Sequence, residues 1–531
     1  MKKTCAIIAA TCIVASGMAS SRTFINPDFE HGGLSLAITA VERADSHTRV
    51  QTDIYGPAGN WVRADTNIYL QGRQTGRKYR MLSLQGMNPG EKTVLGDSAF
   101  ISATMTFEPI APADSIIDFI EPDGWAVTGI KLYDEPLKRV HTHIEGTVED
   151  RPEVSWLILS ESGSDHRVNK SIIIPVRNGR FHYDLYSDGD RYYELTPGIE
   201  LMRGSWSFAQ FYPEKEPVVI KFPSAQSNGL IEVTGGPNTT DIMLWTQTLS
   251  ELWKTRIGNS DIEKHIMELY ESDRLFTPEF ADFRKHAHEM SPDSAQAIYR
   301  RLQKENRIKS PEGVIAEARR DSLVSAVIGQ FYTTELRKPS VCHLFQIYTK
   351  LQSSDKYSDT LLEIFHDNYA DTLTESPYHR MLTTLYEAGE PTPGKKYVDF
   401  SAPDLNGNIV SASEIIGGKI AVIDLWASWC GPCRRHSMAL IPLYEKYRDK
   451  GFTVLGVARE ASSDKAMRKA IERDGYPWIN LIELNDTNNI WKKYRAGNAG
   501  GRIVLVDRDG TILAVDPETD EIEAHLSRLL D

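Results

Sequence analysis

Cys430 and Cys433 sit two residues apart in the run Trp426-Ala427-Ser428-Trp429-Cys430-Gly431-Pro432-Cys433, the spacing in this chain best suited to chemistry. The run lies where an apolar segment, Ile420 to Leu425, gives way to a helical pattern from about Pro432 to Arg448. A cysteine at a helix start faces unpaired N–H groups and the positive end of the macrodipole, both of which stabilise an anion. Its pKa falls below the free value of about 8.5, and the thiolate is the reactive form. The second cysteine, one turn in, is close enough to attack a mixed disulfide made by the first. Arg434 and Arg435 add positive charge to the same turn. The other use of Cys-x-x-Cys is half of a zinc site, which needs two further Cys or His ligands at suitable spacing. His436 is near, but no second Cys-x-x-Cys or His pair follows. The pattern therefore predicts a redox-active disulfide Cys430–Cys433, with no metal and no cofactor.

The remaining candidates are weaker. Cys342 lies in the apolar run Val341-Cys342-His343-Leu344-Phe345 and reads as a buried structural thiol. His141 and His143 alternate on a strand pattern and could share a face, whereas His286 and His288, two apart on a helical one, do not. Neither pair has a third ligand at a telling spacing. Asp507-Arg508-Asp509-Gly510 starts like a calcium loop but lacks its closing glutamate, so it reads as a hairpin turn. Gly497 to Gly501 is glycine-rich, yet no phosphate-binding helix follows it.

The elements that must position the pair come last in the chain. After the polar stretch Glu390-Pro391-Thr392-Pro393-Gly394, which reads as a linker, strand and helix patterns alternate. Ile420 to Leu425 is a continuous apolar run of the kind buried at the centre of a sheet, and Phe452 to Val457 is another. Ile503 to Val506 and Thr511 to Val515 flank Asp509-Gly510 as a terminal hairpin, and Ile522 to Leu530 closes the chain as a helix. Upstream, about Asp241 to Ala388 has helical period. There Ser291-Pro292 and Ser310-Pro311 place a capping hydroxyl before a proline suited to the first turn. From about Phe24 to Val233 short alternating segments predict β structure, with Asn178-Gly179 as a tight hairpin turn between Ile172–Val176 and Phe181–Leu185. The expected organisation is a signal peptide over 1–19, an antiparallel β-sandwich over 20–136 and a second β domain over 137–238. A helical domain over 239–390 and an α/β domain over 391–531 complete it.

At 531 residues the chain is too long for one core. A net charge of −13, with no long Lys/Arg run, argues against a nucleic-acid partner. Lys2-Lys3, the apolar run Cys5 to Val14 and the small residues Gly17-Met18-Ala19 predict a secretory signal cut after Ala19. Its removal leaves Cys342, Cys430 and Cys433, too few for a disulfide-stapled scaffold.

On these residues the C-terminal region resembles the thioredoxin superfamily, specifically the exported TlpA/ResA-like thiol–disulfide oxidoreductases of cell envelopes. Phe400-Ser401-Ala402-Pro403-Asp404-Leu405-Asn406-Gly407, then Gly418-Lys419, matches that family's opening, and the likeness covers roughly the last quarter of the chain. The upstream arrangement resembles multidomain envelope proteins of the Bacteroidetes type. The resemblance implies Cys430 as nucleophile, Cys433 as resolving cysteine, Gly431 and Pro432 as the reducing-type spacer and Trp429 as the flanking aromatic. It implies Asp424 as the buried acid that exchanges a proton with the resolving thiol; such an acid inside an apolar strand is costly unless it is used. Three positions depart from the family. His436 replaces a glutamate, and Met438 replaces a helix-kinking proline, with Pro442 one turn later. Gly501 stands where the family has its cis-proline. A cis bond before a non-proline residue costs roughly 2.5–4 kcal/mol, so the loop is expected to run trans, with glycine flexibility in its place. The resemblance further implies exported protein disulfides as clients, a membrane thiol carrier as electron donor and a link to cytochrome c maturation. A thiol peroxidase of the neighbouring peroxiredoxin type would carry a threonine where this chain has Ala427. The competing reading of another class is an envelope binding or assembly protein whose redox pair is secondary.

Overall fold

In the computed structural model, residues 21–531 are described except 123, 134–139, 205–206, 225, 228, 354–356, 462 and 498–499. The expected signal peptide, and Asn498 and Ala499 of the loop before Gly501, lie outside the described residues. The alternating N-terminal segments form a nine-stranded sheet whose pairings are all antiparallel. Lys78–Gln85 pairs with Tyr69–Gly72 on one side and Phe100–Phe107 on the other, so the two layers of the expected sandwich are one continuous sheet. Inward residues of one end, such as Val50 and Ile54, share a core with Leu70, Phe119 and Val127 from the other.

The second β unit has two four-stranded sheets enclosing a core of Ile144, Trp156, Phe181, Phe211 and Ile220. It corrects the expectation of antiparallel pairing throughout, because Val140–Val148 runs parallel to Val218–Phe222. The long chain between these strands builds the opposite sheet before returning, and parallel neighbours need such a crossover. Asn178 and Gly179 do adopt the left-handed conformations of a tight primed turn, with φ 53° and 67°. The hairpin they were expected to close stops at Arg177 and Arg180. Beyond the turn, Arg180–Ser187 joins Val140–Val148 over eight residue pairs, while Ile172–Pro175 belongs to the other sheet.

Helices from Pro237–Leu252 to Pro377–Ala388 follow. Ser291 and Ser310 cap their helices as expected, accepting the N–H of Ser294 and Gly313. The polar stretch after Ala388 is tied down rather than loose: Glu390 pairs with Arg495, and Gly394 N–H donates to the Ile512 carbonyl at 2.8 Å.

The C-terminal unit has a five-stranded sheet in the order Ile479–Leu484, Phe452–Glu460, Ile420–Trp426, Arg502–Val506, Ile512–Val515. The first three strands are parallel and the last two antiparallel. Ile420–Trp426 is buried at every position because both faces are covered. Ala421, Ile423 and Leu425 enter one core with Phe400 and Trp491. Ile420, Val422 and Trp426 enter the other, with Leu440 and Leu443 of the helix Gly431–Tyr447 and Ile522 of the helix Thr519–Leu530. Strand alternation puts Asp424 on this second face, beneath the helix that carries the cysteines. Phe452–Glu460 runs three residues beyond the apolar pattern, and Arg459 and Glu460 are buried there against charged and hydroxyl partners.

Candidate active site

The strand Ile420–Trp426 ends four residues before Cys430, which caps the helix Gly431–Tyr447. The Cys430 sulfur accepts the Cys433 N–H at 3.3 Å, so an orphan amide of the first turn points at the sulfur expected to carry negative charge. Cys430 and Cys433 are joined as a disulfide. Pro432 falls where a helix has no N–H to lose, and both Gly431 and Pro432 are exposed. Cys430 itself is only 4% exposed, and Cys433 is half-buried.

Two contacts that sequence reading missed hold this turn. Glu460 accepts the backbone N–H of Ser428 at 2.7 Å and its hydroxyl at 2.8 Å, clamping the loop that leads into Trp429. Arg434 makes a two-pronged pair with Asp474, both contacts at 2.6 Å. Its charge is thereby neutralised, and its effect is to fasten the helix start to Lys465–Asp474 rather than to add field at Cys430. Arg435 remains exposed. Ring packing positions Trp429: Trp491 lies 6.3 Å away between centroids, and the Arg167 guanidinium of the second β unit sits 3.7 Å above the Trp429 ring.

Asp424 is 1% exposed, and burial pushes its carboxyl up to about 7. Its Oδ2 is 2.6 Å from the Ser437 hydroxyl, which is also 3.1 Å from the Cys433 carbonyl oxygen. Ser437 has one hydrogen for two acceptors. When Asp424 is ionised, the hydroxyl can satisfy only one of them. When Asp424 is protonated, the acid donates to Ser437 and Ser437 donates to the Cys433 carbonyl, and every group is satisfied. The buried acid is thus connected through Ser437 to the turn of Cys433. Ser437 lies one helical turn after Cys433, a spacing that could have revealed it.

Gly501 corrects an expectation. The peptide bond is trans, since the described residues contain no cis bond, but flexibility is not the reason for glycine. A Cβ there would lie 1.7 Å from the Leu425 carbonyl oxygen and 3.2 Å from the Cys433 sulfur. Only glycine lets the loop press against the central strand, and in that position its N–H donates to Cys433 Sγ at 3.1 Å. A proline has no such donor.

His436 is half-buried and faces Asp516 and Glu518; burial lowers its pKa, and these carboxylates oppose the shift. Pro442 lies inside the helix, so the Met438 carbonyl has no amide four residues on. His141 and His143 both contact one Asp184 oxygen at 3.0 Å, and among the described residues no group of three or more His, Cys, Asp or Glu could hold a metal ion. Cys342 is a free buried thiol in the helix Val341–Ser353, pushed up to about 12 by burial. At pH 8, iodoacetamide is expected to label the reduced protein at Cys430 and leave Cys342 unmodified until the chain is denatured. Peptide mass mapping before and after denaturation checks this, and native labelling of Cys342 would contradict it.

A mixed five-stranded sheet with a Cys-Gly-Pro-Cys turn opening the helix after its central strand defines a thioredoxin-like domain of the thiol–disulfide oxidoreductase class. Residues 393–515 match the AhpC/TSA family. Over 139 residues the chain is 27% identical to the thiol-disulfide oxidoreductase ResA of Geobacillus kaustophilus, covering 26% of this chain and 77% of that one. It is 28% identical over 157 residues to a glutathione peroxidase of Lactococcus lactis, covering 25% of this chain and 99% of the relative. Among solved structures, the thioredoxin domain of a thiol-disulfide oxidoreductase from Bacteroides vulgatus is similar at 28% identity. It covers 26% of this chain and 99% of that chain, with a TM-score of 0.24.

Proposed function

We propose that this chain is a thiol–disulfide oxidoreductase of the bacterial cell envelope that reduces disulfides in exported proteins. The observation that carries the reading is the Cys430–Cys433 disulfide at a helix start, with the Cys430 sulfur accepting a first-turn amide. In the dithiol form, the Cys430 thiolate attacks one sulfur of a client disulfide, making a mixed disulfide and expelling the other client sulfur as thiolate. Cys433 gives up its proton, with Asp424 as acceptor, and attacks Cys430 Sγ. The Cys430–Cys433 bond forms, the second client thiol leaves, and two electrons have passed to the client. A membrane thiol carrier returns them by the same exchange in reverse. The signal at 1–19 exports the chain, and the β and helical domains over 20–136, 137–238 and 239–390 serve location or client selection. Among the described residues no helix is long and apolar enough to cross a membrane.

The test is trapping with Cys433→Ala in the full chain. Without a resolving thiol, client proteins are expected to stay on Cys430 as adducts released by dithiothreitol and absent from the Cys430→Ser, Cys433→Ala double variant. A protein that holds no such adduct yet consumes hydrogen peroxide through Cys430 would instead be a peroxidase.

A further inference from the structure

We propose that residues 162–169 of the second β unit form a wall of the redox site that sets its substrate class. The wall admits disulfides on small molecules or narrow extended segments and rejects those set in a broad protein face. The proposal rests on the redox reading above. Three observations carry it. Arg167 lies 3.7 Å over the ring of Trp429, the residue directly before the nucleophile, so a part of the chain more than 250 positions upstream packs on the aromatic that flanks the reacting pair. This border is fastened: Asp165 holds Arg167 through Nε and Nη2, both at 2.9 Å, and also accepts from Arg459 Nη1 at 3.1 Å. Arg459 is in turn gripped by Asp486, with two contacts at 2.6 Å. Third, Asp165 and Arg459 side chains are each 4% exposed while that of Arg167 is 44% exposed, so the wall is anchored in the interior and ends at a solvent-facing guanidinium over Trp429.

The physical consequence is a filter by shape. Breaking a buried ion pair leaves uncompensated charges, so the wall does not swing freely. The stacked guanidinium adds an attraction of its own on the tryptophan face. A narrow disulfide reaches Cys430 past the rim. A broad surface meets the upstream unit before its sulfur comes within bonding distance. Nothing in the local sequence Ser162-Gly163-Ser164-Asp165-His166-Arg167 announces this, because the contact exists only in the folded chain.

The experiment uses the full-length reduced protein and the variants Arg167→Ala and Asp165→Asn, one removing the stacked cation and the other weakening the anchor. Cys430 alkylation is timed with N-ethylmaleimide and with a polyethylene-glycol maleimide, and turnover is measured with hydroxyethyl disulfide and with insulin. Arg167→Ala is expected to raise the bulky-reagent and insulin rates by about tenfold, as for loss of one such stacking contact from an opening equilibrium, and Asp165→Asn to raise them in the same direction. The small-reagent rates are expected to stay within about twofold of wild type. If bulky and small rates move together, or neither variant changes their ratio, the wall is refuted. Alkylation needs no turnover, so the two readings fail separately. Size-dependent labelling with no disulfide reduced would overturn the redox reading alone, and reduction with no size dependence would overturn the wall alone.

Discussion

Asp424→Asn is expected to slow resolution of the mixed disulfide by about 100-fold, in the range of losing one positioned proton acceptor, while making the oxidised protein harder to unfold at pH 8. The two effects have opposite signs because they come from the same burial. Asp424 titrates near 7 in the folded chain and near 3.9 in the unfolded one. Between those values the native state keeps a proton that the unfolded chain has released. Stability therefore falls as pH rises from about 4 to 7, and the loss is complete above the folded pKa. About three units at 1.36 kcal/mol each put it on the order of 4 kcal/mol. Asparagine has no charge to bury, and its amide oxygen can still accept from Ser437. The variant should gain stability over wild type at pH 8 and lose that advantage near pH 4. Hydrogen exchange of the Ile420–Trp426 amides in urea, at both pH values, reads this directly. Catalysis needs what stability does not: a carboxylate beside the Cys433 turn that can take up and return a proton. An unchanged resolution rate would remove Asp424 from proton transfer, and a variant less stable than wild type at pH 8 would mean that burial does not raise the folded pKa of Asp424.

The disulfide pair and the buried Asp424 were legible because their signals are local. Cys430 and Cys433 announce themselves at a junction of apolar run and helical period, and Asp424 is conspicuous as the one charge inside that run. Capping serines before proline carry an equally local meaning, and Ser291 and Ser310 behave accordingly. What failed to show is pairing at a distance. The turn at Asn178-Gly179 was readable from two residues, but which sheet receives each flanking strand depends on Val140–Val148 and Trp156–Glu161, which compete for them. Arg434 looked like a source of positive potential until Asp474, forty positions on, neutralised it. Glu460 was invisible as a clamp because its partners, the amide and hydroxyl of Ser428, lie thirty-two positions away, and nothing local pairs them. Arg167 is the extreme case: an ordinary polar loop acquires its significance only by landing on Trp429.

Gly501→Ala is expected to be among the most damaging single-atom additions at the site, and the adjacent Gly500→Ala nearly silent. The contrast follows from space alone. A Cβ at Gly500 meets nothing within 4 Å, and neither glycine has a left-handed φ that a side chain would resist. At Gly501 the added carbon would lie 1.7 Å from the Leu425 carbonyl oxygen and 2.8 Å from its carbon. That carbonyl belongs to the buried central strand, hydrogen-bonded on both edges to its neighbours, and cannot give way. The loop must move instead, and its movement removes the N–H that donates to Cys433 Sγ at 3.1 Å. Forced displacement of this kind costs about 1–3 kcal/mol, with the lost donor in addition. The resolving sulfur would then form its thiolate less readily, so resolution should slow even in molecules that remain folded. Gly501→Pro combines both injuries, a Cβ at the same place and no N–H, so installing the proline of the resembling family should impair this site. Thermal unfolding of the oxidised proteins and the pH profile of Cys433 alkylation in the reduced ones, compared across Gly500→Ala, Gly501→Ala and Gly501→Pro, decide the matter. If Gly501→Ala matched Gly500→Ala in both measurements, the close approach to Leu425 would not exist in solution, and the loop would be the flexible segment that its glycines first suggested.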